Sequence, residues 1–193
     1  QTLRCAGAPA ASQRRVEEIV GGDNGSRDGS ADAIARELPA ATLLRCERNL
    51  GFAAGANRGI RQALASGAEL VLLVNSDARV EAGCIERLER ALALDASIGI
   101  VGPAILADEE PERVESLGLA FSARTGRFRE IRSGRSAAVR AVEAVSGCAM
   151  LIRRELLERV GLLDEAYFFG FEDLDLCLRA RQAGFRSEIV PEA

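Results

Sequence analysis

The segment Gly170–Arg179, GFEDLDLCLR, sets Glu172, Asp173 and Asp175 within four positions and then continues as an apolar helix. Carboxylates this close repel one another, so each needs a reason to be there. Glu172 or Asp173 at a helix start is favoured by the helix dipole, and Asp175 with Arg179 makes an i,i+4 pair on the surface. One cap is enough, so this structural account leaves one acid over. Phe168, Phe169, Phe171 and Leu174 would wall it with apolar surface. The chemistry expected of such an acid is general-base removal of a proton from an acceptor hydroxyl. Burial and like charge would raise its pKa, while the helix N-terminus would lower it.

Three other segments carry polar groups directly after apolar runs of strand length. Asp23-Asn24-Gly25-Ser26 follows Val16–Val20 and Gly21-Gly22, and either turns the chain towards a helix cap or places an acid and an amide at a strand end. Asn49-Leu50-Gly51-Phe52-Ala53-Ala54-Gly55-Ala56-Asn57 opens a helix with small residues. These permit either close helix–sheet packing or the approach of a phosphate to the helix start. Asn57 shares a face with Ile60 and Leu64, so its amide is expected to point inward. Asn75-Ser76-Asp77 comes straight after Leu70–Val74. It is either a strand-ending turn or the site of a carboxylate that holds a divalent ion when a diphosphate supplies further oxygens.

Composition narrows the chemistry. The chain has no His, and every basic residue is Arg. A Ser–His or Cys–His nucleophile, a His-ligated zinc, a Walker A lysine and a pyridoxal Schiff base are thereby excluded within these residues. Any general base is expected to be Asp or Glu, and any catalytic metal to take oxygen ligands, as magnesium or manganese does. The net charge of −4 argues against nucleic acid as a partner. No apolar run is long enough to span a bilayer, and Gln1–Arg15 lacks the apolar core of a secretory leader. Cys5, Cys46, Cys84, Cys148 and Cys177 form no C-x-x-C pair and sit in or beside apolar stretches. Buried free thiols in a reducing cytoplasm are expected.

The elements that would position these groups alternate in the first half. Strands are expected at Val16–Val20, Thr42–Arg45, Leu70–Val74 and Ile98–Val101, and helices at Ala31–Leu38, Ala54–Ala65 and Ala82–Leu94. Repeated β-α units of this length imply a parallel sheet covered on both faces. After Pro103 the pattern changes. Ala120–Arg140 is polar and irregular, with Arg124, Arg127, Arg129, Arg132, Arg135 and Arg140 against the single acid Glu130. It is either a solvated loop or a clamp for a diphosphate or a lipid-linked acceptor. A strand at Val145–Ile152, a short helix at Arg154–Val160 and a last strand at Glu188–Val190 complete one α/β domain over 193 residues.

Taken in order, DNGSRDGS, NLGFAAGANRGI, LLVNSDARV, VSGCAMLIRRELLERVGLLDEAYFFGFEDLDLCLRARQAGFR and VPEA resemble glycosyltransferase family 2, the inverting nucleotide-sugar enzymes, and in particular its rhamnosyltransferase-like members. The resemblance implies a GT-A fold: a Rossmann-like, mostly parallel sheet flanked by helices, with a smaller irregular or antiparallel acceptor-side half. It implies a nucleotide-sugar-binding half over residues 1–102 and an acceptor-side half over 103–193, in a chain shortened at both ends with the family's first strand missing. Asp23 would sit at the nucleobase end of the donor, and Asn49, Gly51 and Asn57 would line its pocket. Asp77 would bind the metal, with Asn75 where a two-acid motif has Asp. Asp173 would be the base and Glu172 would position the acceptor. The implied partners are a nucleotide sugar and a saccharide or lipid-linked acceptor, in the cytoplasm or peripherally at the inner face of the membrane. Other readings are a sugar nucleotidyltransferase, which wants a Gly-rich basic loop, and a non-catalytic nucleotide- or saccharide-binding domain.

Overall fold

The computed structural model describes residues 16–110, 112–122, 124–133 and 138–193. Cys5 and Arg135 lie outside them.

The alternating half forms as its apolar periodicity requires. Strand β1 (Val20–Asp23) leads through α1 (Ser30–Glu37) to β2 (Thr42–Arg45), which pairs parallel to it with Asp23 opposite Arg45. Helix α2 (Phe52–Ala65) follows, then β3 (Leu70–Val74), α3 (Cys84–Ala93) and β4 (Ile98–Pro103). The first strand lies later than the sequence suggests. Glu17 and Glu18 stay outside it, and it takes in Gly21, Gly22 and Asp23. Asp23 is therefore the last residue of a paired strand. Helix α2 packs against both β1 and β3, and so joins the two-stranded sheet to the main one.

The second half supplies two short hairpins, β5 (Ile105–Leu106) with β6 (Val114–Ser116) and β7 (Leu119–Ser122) with β8 (Arg127–Glu130). Then come β9 (Arg140–Val142), β10 (Ala149–Arg153), α4 (Arg154–Val160), α5 (Glu172–Gln182) and β11 (Arg186–Val190). The main sheet has the order β3-β10-β4-β11-β9. The β-α repeats imply a parallel sheet; the sheet is mixed, because β10 enters between β3 and β4 and runs antiparallel to both. Only β11 pairs parallel to β4. The two halves of the chain thus share one sheet.

The central strands are apolar on both faces because both are covered. Along β10, Met150 and Ile152 enter one core with Ile60, Leu156 and Leu176, while Leu151 joins the other with Leu88, Leu92 and Val101. This alternation is the period of a strand, and each such side chain contributes about 1.5–3 kcal/mol on burial. Cys84 and Cys177 lie in these cores, and burial pushes both thiols up to about 11. Cys46 and Cys148 are half-buried thiols in no disulfide.

Two further differences bear on the site. The polar stretch after Leu119 contains the β7–β8 hairpin, whose second strand, RFRE, is exposed throughout and so gives no apolar signal. And β10 starts only at Ala149, so residues 145–148 are free to turn.

Candidate active site

Helix α5 begins with Glu172, and its N-cap is Phe171, at φ 74° and ψ −9° with no side-chain cap. Both acids lie in the first turn of the helix, where its dipole favours them, and neither is the N-cap residue. Asp173 turns back instead. Its Oδ2 accepts the Gly147 N–H at 2.8 Å and its Oδ1 accepts the Leu174 N–H at 2.7 Å. A carboxylate has about four lone-pair sites, so two such bonds fix its orientation and leave acceptor capacity over. Glu172 is 6% exposed, and its Oε2 is buried with no hydrogen-bond partner among the described residues. Burial first, and the charge of Asp173 second, raise the Glu172 pKa above the ordinary carboxylate range, against lowering by backbone hydrogen bonds.

The stability consequence has a definite sign. A carboxyl whose folded pKa is raised favours folding below its unfolded pKa and loses that contribution as the pH rises through its folded pKa. Glu172→Gln is therefore expected to melt above the parent at neutral pH, with the gap closing in acid. Melting curves across that range check it; a gap that widens in acid would refute the assignment.

The turn at 145–148 connects this acid pair to the end of β3. Gly147 donates to Asp173, and the Cys148 carbonyl accepts the Asn75 N–H at 2.9 Å. Asn75, Gly147, Glu172 and Asp173 line one cavity of about 610 Å³, opposite Phe128 and Arg132 of the hairpin region. That volume suits a small ligand. Asp77 is exposed and lies two residues past Asn75, outside the cavity lining. Among the described residues no three Cys, Asp or Glu side chains converge as a metal cage. Asp77 therefore fits a divalent ion only as a single carboxylate anchor, with a ligand's own oxygens completing the shell, which is a common arrangement for magnesium at phosphates.

Asp23, Asn49 and Gly51 come together through Asn24, the amide that stands beside Asp23 at the end of β1. Asn24 Nδ2 donates to Asn49 Oδ1 at 3.0 Å and to the Gly51 carbonyl at 2.9 Å, and Asn24 Oδ1 accepts the Leu50 N–H at 2.9 Å. Asn49 Oδ1 also accepts the Gly51 N–H at 2.9 Å. Asn24 follows β1 directly, and Asn49 lies in the loop after β2, the strand that pairs with it. Asp23 Oδ1 accepts the Ser26 N–H at 2.9 Å, closing the turn after β1. Asn57 is 1% exposed, inward as expected, and its amide is committed to the 163–165 segment. It donates to the Leu163 carbonyl at 2.8 Å and Glu165 Oε1 at 2.9 Å, and accepts the Leu163 N–H at 3.1 Å.

Asp175 and Arg179 are not the solvated surface pair the spacing suggests. Both are about three-quarters buried, and Arg179 also donates to the carbonyls of Val160 and Leu162, each at 2.8 Å. With Asn57 they anchor the segment that leads into the aromatic turn. That turn is latched to the start of α2, where the Phe52 N–H donates to the Phe168 carbonyl at 2.7 Å. Phe128 stands edge-on to Phe171 at 5.1 Å and closes the ring from the hairpin side.

Comparison with known proteins accords with this arrangement. Residues 6–193 match the family described as "Glycosyltransferase like family 2". An N-acetylglucosaminyl-diphospho-decaprenol L-rhamnosyltransferase of Mycobacterium tuberculosis is 31% identical over 207 residues, covering 95% of this chain. The chain spans 66% of that relative's length. The structure of GalNAc-T7 with UDP, GalNAc and Mn2+ superposes with a TM-score of 0.77 at 17% identity, over 98% of this chain and 39% of that one. The mannosyltransferase PcManGT of Pyrobaculum calidifontis, with GDP-Man and Mn2+, gives 0.68 at 22% identity, over 96% and 49%. At these identities the likenesses establish the fold, which is of GT-A type.

Proposed function

Because the chain belongs to glycosyltransferase like family 2, we propose that it transfers a sugar, with inversion, from a nucleotide-diphosphate donor to a hydroxyl of a saccharide or lipid-linked saccharide acceptor. The observation that carries this reading is Asp173, fixed by two backbone N–H groups at a cavity wall beside a buried second acid. In the proposed step the acceptor oxygen attacks the anomeric carbon while Asp173 takes its proton. The bond from that carbon to the donor phosphate oxygen breaks, and the nucleoside diphosphate leaves with the electron pair. One base and one displacement invert the centre, and binding in the right orientation supplies much of the rate. Glu172 positions the acceptor. Asp23, Asn49, Gly51, Asn57 and Asn75 belong to the donor side, Asp23 at the nucleobase end. Asn57 acts there through the 163–165 segment it holds. Asp77 is the residue that would hold a magnesium or manganese ion, whose chemistry there is neutralising charge on the leaving diphosphate. Residues 1–102 are the donor half and 103–193 the acceptor half. The rhamnosyltransferase relative makes a rhamnose donor the first to test. The free cysteines support a reducing, cytoplasmic setting.

Calorimetry with nucleoside diphosphates tests the donor side. The parent is expected to bind more tightly with manganese than without, and Asp77→Ala to lose that difference. Equal affinities in the parent with and without manganese would remove the metal assignment.

A further inference from the structure

The chain has seven Phe, one Tyr and no Trp. Five of these rings are exposed: Phe128, Tyr167, Phe168, Phe169 and Phe171, with Phe169 at 84%. Scattered exposed apolar residues need no explanation, but four of these fall within residues 167–171 and the fifth, Phe128, stands against Phe171. Phe128, Phe169 and Phe171 also line the cavity. They are not exposed through looseness. The turn is pinned through Phe168, Asn57 and Arg179, as described above. Phe171 holds φ 74°, a left-handed conformation that is a strained outlier for a bulky side chain. Glycine would avoid that strain, so the ring is retained against it.

The acids Glu130, Glu172 and Asp173 line the cavity beside Arg132, and the exposed positive charge gathers on the hairpin at its edge. Arg124, Arg127, Arg129 and Arg132 are all exposed, in a chain whose net charge is −4. Among the described residues only Arg132 of these four holds a carboxylate, that of Glu130. Strand alternation puts Phe128 on the cavity face of the hairpin and Arg127 and Arg129 on its outer face. The pattern is a cluster of rings at a cavity mouth with guanidinium groups outside it. Rings that enter an interface while arginines reach headgroups make the arrangement of an interfacial membrane site.

We propose that this rim docks the protein on an anionic lipid bilayer, with the cavity mouth towards the lipid. The purpose of docking rests on the transferase reading, since it would present the cavity to an acceptor carried in the membrane. The docking itself is measured without turnover.

The test is sedimentation with vesicles of phosphatidylcholine alone and of phosphatidylcholine mixed with phosphatidylglycerol. Binding is expected to the mixed vesicles, to weaken with salt, and to be slight on phosphatidylcholine. Each arginine near an anionic surface is worth about a fivefold change in partitioning. The double variant R127E/R129E is then expected to lose at least about thirtyfold in binding to the mixed vesicles. Phe169→Ser, confirmed folded by circular dichroism, is expected to lose binding to the same vesicles. Absence of parent binding, or variants that bind as the parent does, overturns the proposal. So does light scattering that shows a self-association dissolved by Phe169→Ser in a protein that ignores vesicles, since the patch would then belong to a second copy. Nucleoside diphosphate calorimetry on the same samples keeps the two readings apart. Nucleotide binding without vesicle binding overturns docking alone, and vesicle binding without nucleotide binding overturns the transferase reading alone.

Discussion

Asp173→Asn is expected to lower the transfer rate by about a hundredfold to ten-thousandfold, the usual contribution of a positioned general base, while nucleoside diphosphate affinity is kept. The substitution removes the proton acceptor but also disturbs the scaffold. Asp173 accepts two backbone N–H groups on two different oxygens. Asparagine has one carbonyl oxygen, so either Gly147 or Leu174 must face its amide nitrogen. An orphaned buried donor costs about 1–3 kcal/mol. The turn at 147 and 148 also holds Asn75, so a loss of rate alone does not separate a base from a support. The pH profile does. A rate carried by a carboxylate base falls in acid as the base takes up a proton. The residual rate of Asp173→Asn is expected to be flat where the parent falls, and Glu172→Gln to retain the fall. If Glu172→Gln is the variant that flattens the profile, the base is Glu172. Unchanged turnover in Asp173→Asn would remove Asp173 from the mechanism.

That one acid of the two can be singled out for test reflects what local sequence does and does not carry. The alternation of strands and helices up to Pro103 was legible because runs such as Leu70–Val74 are bounded by turn residues and have the right length. The inward face of α2 was legible too, since Asn57 and Ile60 are spaced by one turn and both are buried. What Asn57 bonds to was not, because Leu163 and Glu165 lie 106 and 108 residues away. The place of β10 in the sheet is the same kind of fact. An apolar run announces a buried strand but not its neighbours, and β10 chose β3 and β4 in the antiparallel sense. The hairpin at 119–130 was missed for a different reason. It is solvated on its second strand, so no hydrophobic alternation marks it. The acid pair shows both limits at once. The crowding of Glu172 and Asp173 was visible in four letters. Their difference comes from Gly147, which is 26 residues from Asp173 in sequence and belongs to another element.

The second large effect is expected at Gly51, where Ala should cost about 3 kcal/mol or more by adding backbone strain to an overpacked contact. Gly51 sits at φ 87° and ψ 167°, a region essentially reserved for glycine. A Cβ there would lie 2.6 Å from the Phe168 carbonyl oxygen and 2.9 Å from its ring. The same carbonyl accepts the Phe52 N–H, so the aromatic turn cannot retreat without breaking its latch to the start of α2. For a chain of this size the loss corresponds to a fall in Tm of about 6–12 °C. Gly67→Ala is the control. Gly67 also has positive φ, at 90°, but nothing lies within 4 Å of its would-be Cβ. It is expected to cost only about 1 kcal/mol. A spectroscopic readout separates general destabilisation from displacement of the turn. The chain has one Tyr and no Trp, and that tyrosine is Tyr167. Its emission therefore reports the aromatic turn with no competing tryptophan. Gly51→Ala is expected to change Tyr167 emission well below the melting transition, and Gly67→Ala to leave it unchanged. If both variants melt alike with identical emission, Gly51 does not hold the turn. The join between the 49–51 loop and the aromatic turn would then have to be made elsewhere.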